Sequence, residues 1–140
     1  MSEDLQTSAP LVLIVDDEVD ITVYLRHALE EHGFRVVTFS DAEEAAAALR
    51  ESEPDVVCLD LLMPRQTGLS LYAEIVENPR LKDCPVVIIS GLAVRNDLDS
   101  MLQRAGDLPP PAAFLEKPID IDELVGTLED LLRTESGVAT

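Results

Sequence analysis

The most informative stretch of the chain is LVLIVDD at residues 11–17, where five apolar residues run without alternation into two acidic ones. An apolar run of this length is typical of a strand that is covered on both faces, as the strands of a parallel sheet are. VVCLD at residues 56–60 and VVIIS at residues 86–90 repeat the pattern, and each ends in a polar residue. We therefore predict a buried parallel sheet with polar side chains at the ends of its strands.

Five predicted strands alternate with five segments in which apolar residues recur at helical spacing. The strands are expected at Leu11–Val15, Arg35–Phe39, Asp55–Leu59, Pro85–Ile89 and Ala112–Leu115. We expect Ser40 to cap the helix over residues 42–49 and Asp120 to cap the last helix. Gly33 and Gly106 are expected to end two others. This alternation predicts an open, doubly wound α/β sheet with helices on both faces.

The composition fits one domain with a strongly acidic surface. The chain has 140 residues, 46% of them hydrophobic, which is enough for a single core. Its formal charge of −18 disfavours direct binding to nucleic acid or to an anionic membrane. Solubility is the simpler interpretation of this charge, and a basic protein partner is the alternative. We expect a tail over residues 1–10, the domain over residues 11–134 and a second tail over residues 135–140.

Several features predict a cytoplasmic protein. Residues 1–4 are acidic where a secretory leader is basic. No apolar run approaches the roughly 20 residues that cross a membrane. Cys58 and Cys84 lie in or beside apolar runs, so we expect free thiols in a reducing compartment rather than a disulfide.

Acidic residues, a hydroxyl and a lysine stand where the predicted strands end. Asp16 and Asp17 follow the first strand, Asp60 follows the third, Ser90 ends the fourth and Lys117 follows the fifth. A parallel sheet brings these ends to one edge, where open α/β sheets bind ligands. Clustered carboxylates favour a cation, and oxygen ligands suit Mg²⁺. With a lysine and a hydroxyl beside it, the cluster predicts a phosphoryl-transfer site with an aspartate nucleophile.

Each of these residues also has an ordinary structural interpretation. Asp17 could cap a helix, Ser90 could belong to a turn and Lys117 could lie in an exposed loop. The prediction of a site therefore depends on the whole set, with the required residue type at four strand ends.

The chain resembles the receiver domain of two-component response regulators over roughly residues 11–133. The matching stretches are VDDE at 15–18, DLLMP at 60–64 followed by Gly68, Ser90-Gly91 and Lys117-Pro118. The resemblance implies a flavodoxin-like fold with five parallel strands in the order 2-1-3-4-5 and five helices. It also implies a phosphorylated switch that assists its own phosphorylation and dephosphorylation, not an enzyme that turns over a separate substrate.

The resemblance assigns roles in phosphorylation. Asp60 would accept a phosphoryl group from a phosphohistidine on a histidine kinase or a histidine phosphotransfer protein. Lys117 and Ser90 would then contact the phosphoryl oxygens. Phe114 would be the aromatic switch residue, which turns inward as Ser90 moves.

The resemblance also implies a bound Mg²⁺ ion. Asp17, Asp60 and the backbone carbonyl of Leu62 would hold the ion directly, and Asp16 would reach it mainly through water. Mg²⁺ often binds one or two carboxylates and keeps several waters, which agrees with this set.

Two features depart from the family pattern. The segment Gly106–Ala112 is longer than is usual between the fourth helix and the fifth strand, and three prolines stiffen it. A tolerated insertion is the simpler interpretation. The alternative is that Pro109–Pro111 affect partner choice, because receivers commonly bind partners through the fourth helix, fifth strand and fifth helix. Leu62 and Leu92 are apolar where some receivers are polar, so we expect slow hydrolysis of the phosphoryl group.

Two other functions compete with this interpretation. A phosphatase of the haloacid dehalogenase type also uses an aspartyl nucleophile and Mg²⁺, but its two aspartates stand two apart, whereas Asp16 and Asp17 are adjacent. A degenerate receiver would be an interaction scaffold without phosphorylation. The cognate kinase and the output stay open: a phosphorelay shuttle, a regulator of a motor or kinase, and part of a longer chain all fit.

Overall fold

Five parallel strands form one sheet in the computed structural model, which describes residues 9–61 and 68–137. The strands are β1 (Leu11–Val15), β2 (Arg35–Phe39), β3 (Val56–Leu59), β4 (Val86–Ser90) and β5 (Ala113–Glu116). Their spatial order is β2-β1-β3-β4-β5. The predicted fold and strand order are confirmed, and each predicted strand boundary agrees to within one residue.

Helices follow the strands along the described chain. They are α1 (Val19–Glu31), α2 (Ala42–Leu49), α3 (Gly68–Glu77), α4 (Leu92–Arg104) and α5 (Ile121–Gly137), with a 3-10 turn at Pro79–Leu81. The last helix continues beyond residue 134, the predicted end of the domain. None of the helices within residues 9–61 and 68–137 is long and apolar enough to cross a membrane.

Two hydrophobic layers cover the sheet, one on each face. Leu13 and Val15 of β1 pack with residues of α2, α3 and α4, and together they form the cluster on the α2–α4 face. Val12 and Ile14 of the same strand pack in a second cluster with residues of α1 and α5. Because successive side chains point to opposite faces, a strand covered on both sides must be apolar throughout. This double coverage is the physical reason for the uninterrupted apolar run in β1.

The predicted ends of the helices are mostly confirmed. Gly33 and Gly106 follow α1 and α4 with φ values of +92° and +112°, where glycine avoids the strain of a side chain. Asp120 accepts a backbone hydrogen bond in the first turn of α5. The prediction that Ser40 caps α2 is wrong. Asp41 directly precedes α2, and its carboxylate accepts a 2.7 Å hydrogen bond from the second N–H of the helix.

The proline-rich segment between α4 and β5 is attached to the core at two points. Leu108 packs against the cluster on the α2–α4 face, and its N–H donates to the Leu102 carbonyl at 3.0 Å. The hydroxyl of Tyr72 in α3 donates to the Pro109 carbonyl at 2.6 Å, and Tyr72 is buried. The segment is therefore anchored to α3 and α4, at the amino end of β5.

Candidate functional site

The carboxyl ends of β1, β3, β4 and β5 meet at one edge of the sheet. Backbone hydrogen bonds continue the sheet into this edge. The Asp60 N–H donates to the Val15 carbonyl at 3.0 Å, and the Lys117 N–H donates to the Ser90 carbonyl at 2.8 Å. Asp60 and Ser90 are both buried. The sheet therefore fixes the backbone positions from which the polar side chains converge.

Three carboxylates gather at this edge. Asp16, Asp17 and Asp60 each offer one oxygen, and these oxygens lie within 4.8 Å of one another. Asp16 and Asp60 are buried, whereas Asp17 is more accessible. A compact set of oxygen ligands carrying several negative charges fits a hard divalent cation such as Mg²⁺.

The environment of Asp16 disfavours its charged form. Burial raises the pKa of the Asp16 carboxyl, and the neighbouring charge of Asp60 acts in the same direction. Hydrogen bonds from Lys117 and from the Glu18 N–H, the latter at 2.9 Å to Oδ1, oppose the rise. A cation at the cluster would relieve the remaining destabilisation of the carboxylate.

Lys117 supplies the positive charge of the site. Its Nζ lies 2.8 Å from Oδ2 of Asp16 and 2.9 Å from Oδ2 of Asp60. A third carboxylate, that of Glu18, is also 2.9 Å away. Burial by itself would lower the Lys117 pKa, but the hydrogen bonds to these carboxylates raise it. The ammonium is therefore charged at neutral pH and in contact with the candidate nucleophile.

The peptide bond between Lys117 and Pro118 is cis.

Ser90 contacts the other oxygen of the same carboxylate. Its hydroxyl donates to Oδ1 of Asp60 at 2.7 Å. Since Lys117 bonds Oδ2, each carboxylate oxygen of Asp60 has a donor beside it. Both donors are of the type that binds phosphoryl oxygens, an ammonium and a hydroxyl.

The start of α3 lies against the backbone of the site. The Gly68 N–H donates to the Leu61 carbonyl at 3.1 Å. A Cβ at Gly68 would lie 2.0 Å from the Asp60 carbonyl oxygen, closer than any side chain can stand. Glycine is therefore required for this approach. The sequence pattern included Gly68 but gave it no role, because the contact is not visible without the fold.

The structure brings the predicted strand-end residues together. These are Asp16, Asp17, Asp60, Ser90 and Lys117. Phe114 lies in β5, half-buried against the cluster on the α2–α4 face, and its role as a switch stays a prediction. Leu62, whose carbonyl is predicted to bind the metal, lies outside the described residues. Glu18 had no predicted role, although its place directly after Asp16 and Asp17 was an available signal.

Known proteins share this sequence pattern. The model of the response regulator receiver domain family matches residues 12–129. Transcriptional regulatory protein PrrA of Mycobacterium tuberculosis is 32% identical over 139 residues, which cover 98% of this chain and 56% of PrrA. The chain spans about half the length of the curated relatives it matches.

Solved structures share the fold. Chemotaxis response regulator CheY4 of Vibrio cholerae has a TM-score of 0.76 and 25% identity, over 89% of this chain and 99% of that one. Response regulator TrrA of Thermotoga maritima, solved in complex with Mg²⁺ and BeF, has a TM-score of 0.72 and 30% identity. That match covers 87% of this chain and 98% of TrrA. The likeness therefore extends over the whole fold.

Proposed function

Since the chain belongs to the response regulator receiver domain family, we propose that it is a signalling switch with its phosphoryl group on Asp60. Receiver domains are phosphoacceptors rather than enzymes that turn over a separate substrate. One observation carries the assignment to Asp60: its two carboxylate oxygens accept hydrogen bonds from Ser90 and Lys117. These are the two donors that would next hold a phosphoryl group.

The phosphodonor we propose is a phosphohistidine of a partner histidine kinase or histidine phosphotransfer protein. An oxygen of Asp60 attacks phosphorus, so that an O–P bond forms and the P–N bond breaks. The electron pair of the broken bond stays on the imidazole nitrogen, which takes up a proton. Lys117 moves from the carboxylate to a phosphoryl oxygen and stabilises the charge of the transition state. The Ser90 hydroxyl moves to another phosphoryl oxygen.

The carboxylate cluster is the proposed Mg²⁺ site. Asp17 and Asp60 would hold the ion directly with the carbonyl of Leu62, and Asp16 would hold it mainly through water. When bound, Mg²⁺ supplies positive charge that neutralises the transferring phosphoryl group. The three oxygens within 4.8 Å of one another support this assignment.

The switch itself is proposed to run through β4 and β5. A phosphoryl group on Asp60 carries about two negative charges at neutral pH, about one more than the carboxylate that it replaces. The Ser90 side chain moves toward the phosphoryl oxygens. Helix α4 moves with it, because α4 begins two residues later, at Leu92. Phe114, which lies opposite Ile88 in the neighbouring strand, turns inward. The altered face of α4, β5 and α5 then binds a downstream protein, and Pro109–Pro111 affect which protein binds.

The proposed partners are proteins, and the proposed location is the cytoplasm. A charge of −18 disfavours direct contact of this chain with nucleic acid or with an anionic membrane. Cys58 and Cys84 are present as thiols rather than as a disulfide, which fits a reducing compartment. Burial raises the pKa of Cys58 to about 12, so that thiol is unreactive at neutral pH.

Acetyl phosphate in the presence of Mg²⁺ tests the proposed function. Intact-mass analysis is expected to detect one phosphoryl group on the wild-type protein and none on Asp60→Asn. Absence of the modification would favour the scaffold function, and steady release of phosphate from small esters would favour a phosphatase. Phosphotransfer profiling against candidate histidine kinases then identifies the donor. The rate at which radiolabelled phosphate is lost from the phosphorylated protein measures the predicted long lifetime of the phosphoryl group.

A further inference from the structure

Lys117 has one carboxylate partner that does not belong to the proposed cation site. Asp16 and Asp60 are both members of the three-carboxylate cluster, and Glu18 is not. The distance from Lys117 Nζ to Glu18 Oε1 is 2.9 Å, equal to its distance from Asp60. The side chain of Lys117 is 19% exposed and that of Glu18 is 58% exposed. Glu18 therefore reaches the ammonium from the solvent side of the site.

The backbone of Glu18 is fixed by the elements around it. Its N–H donates to Asp16 Oδ1, and its carbonyl accepts the N–H groups of Ile21 and Thr22 in the first turn of α1. Glu18 is the N-cap residue of α1, yet its side chain makes no capping hydrogen bond. Its carboxylate contacts Lys117 instead, 99 positions away in the sequence.

A cation and the Lys117 ammonium share two carboxylates, those of Asp16 and Asp60. The three aspartates and Lys117 together carry two net negative charges, which a divalent ion balances. A bound ion would contact Asp60 directly and Asp16 through water, so both carboxylates would turn toward the ion, and its charge would also repel the ammonium. If Asp16 and Asp60 were its only partners, Lys117 would lose both, and its flexible side chain would turn into solvent.

We propose that Glu18 is a positioning residue that retains the Lys117 ammonium beside Asp60 when a cation occupies the carboxylate cluster. This inference rests on the proposed function. Glu18 stays available because it is outside the cluster. Exposed ion pairs are weak, so Lys117 keeps the freedom to reach a phosphoryl oxygen while it stays at the site.

Lysine NMR tests the retention of the ammonium directly. The chain has two lysines, and the exposed Lys82 serves as an internal reference. In wild-type protein saturated with Mg²⁺, we expect the ammonium signal of Lys117 to remain protected from exchange with water. In Glu18→Gln the same signal is expected to exchange as fast as that of Lys82. Equal protection in the two proteins would overturn the proposal.

Binding of beryllofluoride in saturating Mg²⁺ gives a second readout. We expect Glu18→Gln to weaken this binding by about twofold to fivefold, and Glu18→Asp to restore part of it. Asp20→Asn is the matched control, since it removes the same charge from the first turn of α1. An equal loss in Asp20→Asn would mean a general charge effect and would contradict positioning. Failure of the wild-type protein to bind beryllofluoride would contradict the proposed function instead.

Discussion

The α-carbon of Gly68 stands so close to Asp60 that an added methyl group would lie 2.0 Å from the Asp60 carbonyl oxygen. The first turn of α3 thus packs directly on the backbone that carries the candidate phosphoacceptor. The Gly68 N–H bonds the Leu61 carbonyl at the same place. The position of Asp60 and the position of α3 are therefore coupled through main-chain contact.

Gly68→Ala is expected to destabilise the protein and to displace Asp60. The clash is with backbone atoms, which yield less than a flexible side chain, so we expect a loss of about 1–3 kcal/mol in the free energy of unfolding. Urea denaturation measures that loss, and phosphorylation by acetyl phosphate is expected to slow in the same variant.

Gly126→Ala is the control for this effect. Gly126 lies within α5, and nothing stands within 4 Å of a Cβ added there. Alanine in a helix is favoured over glycine, so this variant is expected to gain about 0.5–1 kcal/mol. A similar loss of stability in the two variants would contradict a specific contact between Gly68 and Asp60.

Removal of Lys117 is expected to make the fold depend on Mg²⁺. In Lys117→Met without metal, two buried carboxylates, those of Asp16 and Asp60, lose their cationic partner. Breaking a buried ion pair in this way costs about 3–5 kcal/mol. Mg²⁺ then stabilises the variant more than the wild type, because no ammonium competes for the oxygens.

Urea denaturation with and without Mg²⁺ measures both effects. Lys82→Met, at an exposed position, is the control and is expected to change stability by less than about 0.5 kcal/mol. An identical response of wild type and Lys117→Met to Mg²⁺ would show that the ammonium and the ion do not share ligands.

Asp16→Asn is expected to stabilise the metal-free protein at neutral pH. Burial raises the pKa of Asp16 in the folded state, so the fold favours the protonated carboxyl. The stability associated with the protonated form is fully present below the unfolded pKa of 3.8 and is lost as the pH rises through the higher folded value. Asparagine cannot ionise and avoids this loss.

Unfolding free energies of the wild type and of Asp16→Asn, measured from acidic to neutral pH, show whether the stability difference has the predicted sign. The advantage of Asp16→Asn is expected to be absent below the unfolded pKa and to grow as the pH rises to neutrality. A difference that stays constant with pH would mean that packing, not ionisation, separates the two proteins.

Tyr72→Phe is expected to loosen the proline-rich segment without affecting the site. The variant loses the 2.6 Å hydrogen bond to Pro109, which is worth about 0.5–1.5 kcal/mol. Hydrogen exchange at Leu108 is expected to accelerate, and phosphorylation at Asp60 is expected to be unchanged. Tyr24→Phe, on the exposed surface of α1, is the control. A change in phosphorylation by Tyr72→Phe would place this segment in the switch itself.

Local patterns in the sequence predicted the sheet and the residues at its rim. Uninterrupted apolar runs located the strands because burial on both faces leaves no position for a polar side chain. The polar residue after each run then had to lie at the common edge. Capping was predicted less well: Ser40 and Asp41 both suit a helix start, and only the backbone path selected Asp41.

The fold class, the strand ends and the set of acidic, hydroxyl and ammonium groups at the site could all be predicted from the sequence, since each depends on residue type and short-range periodicity. Three contacts became visible only in the folded chain: Glu18 bonds Lys117, Gly68 meets the backbone of Asp60, and Tyr72 bonds Pro109. Each of these contacts joins separate elements of the fold. Contacts between separate elements depend on how the helices pack across the sheet and on where each side chain then points. A local sequence pattern predicts neither of these.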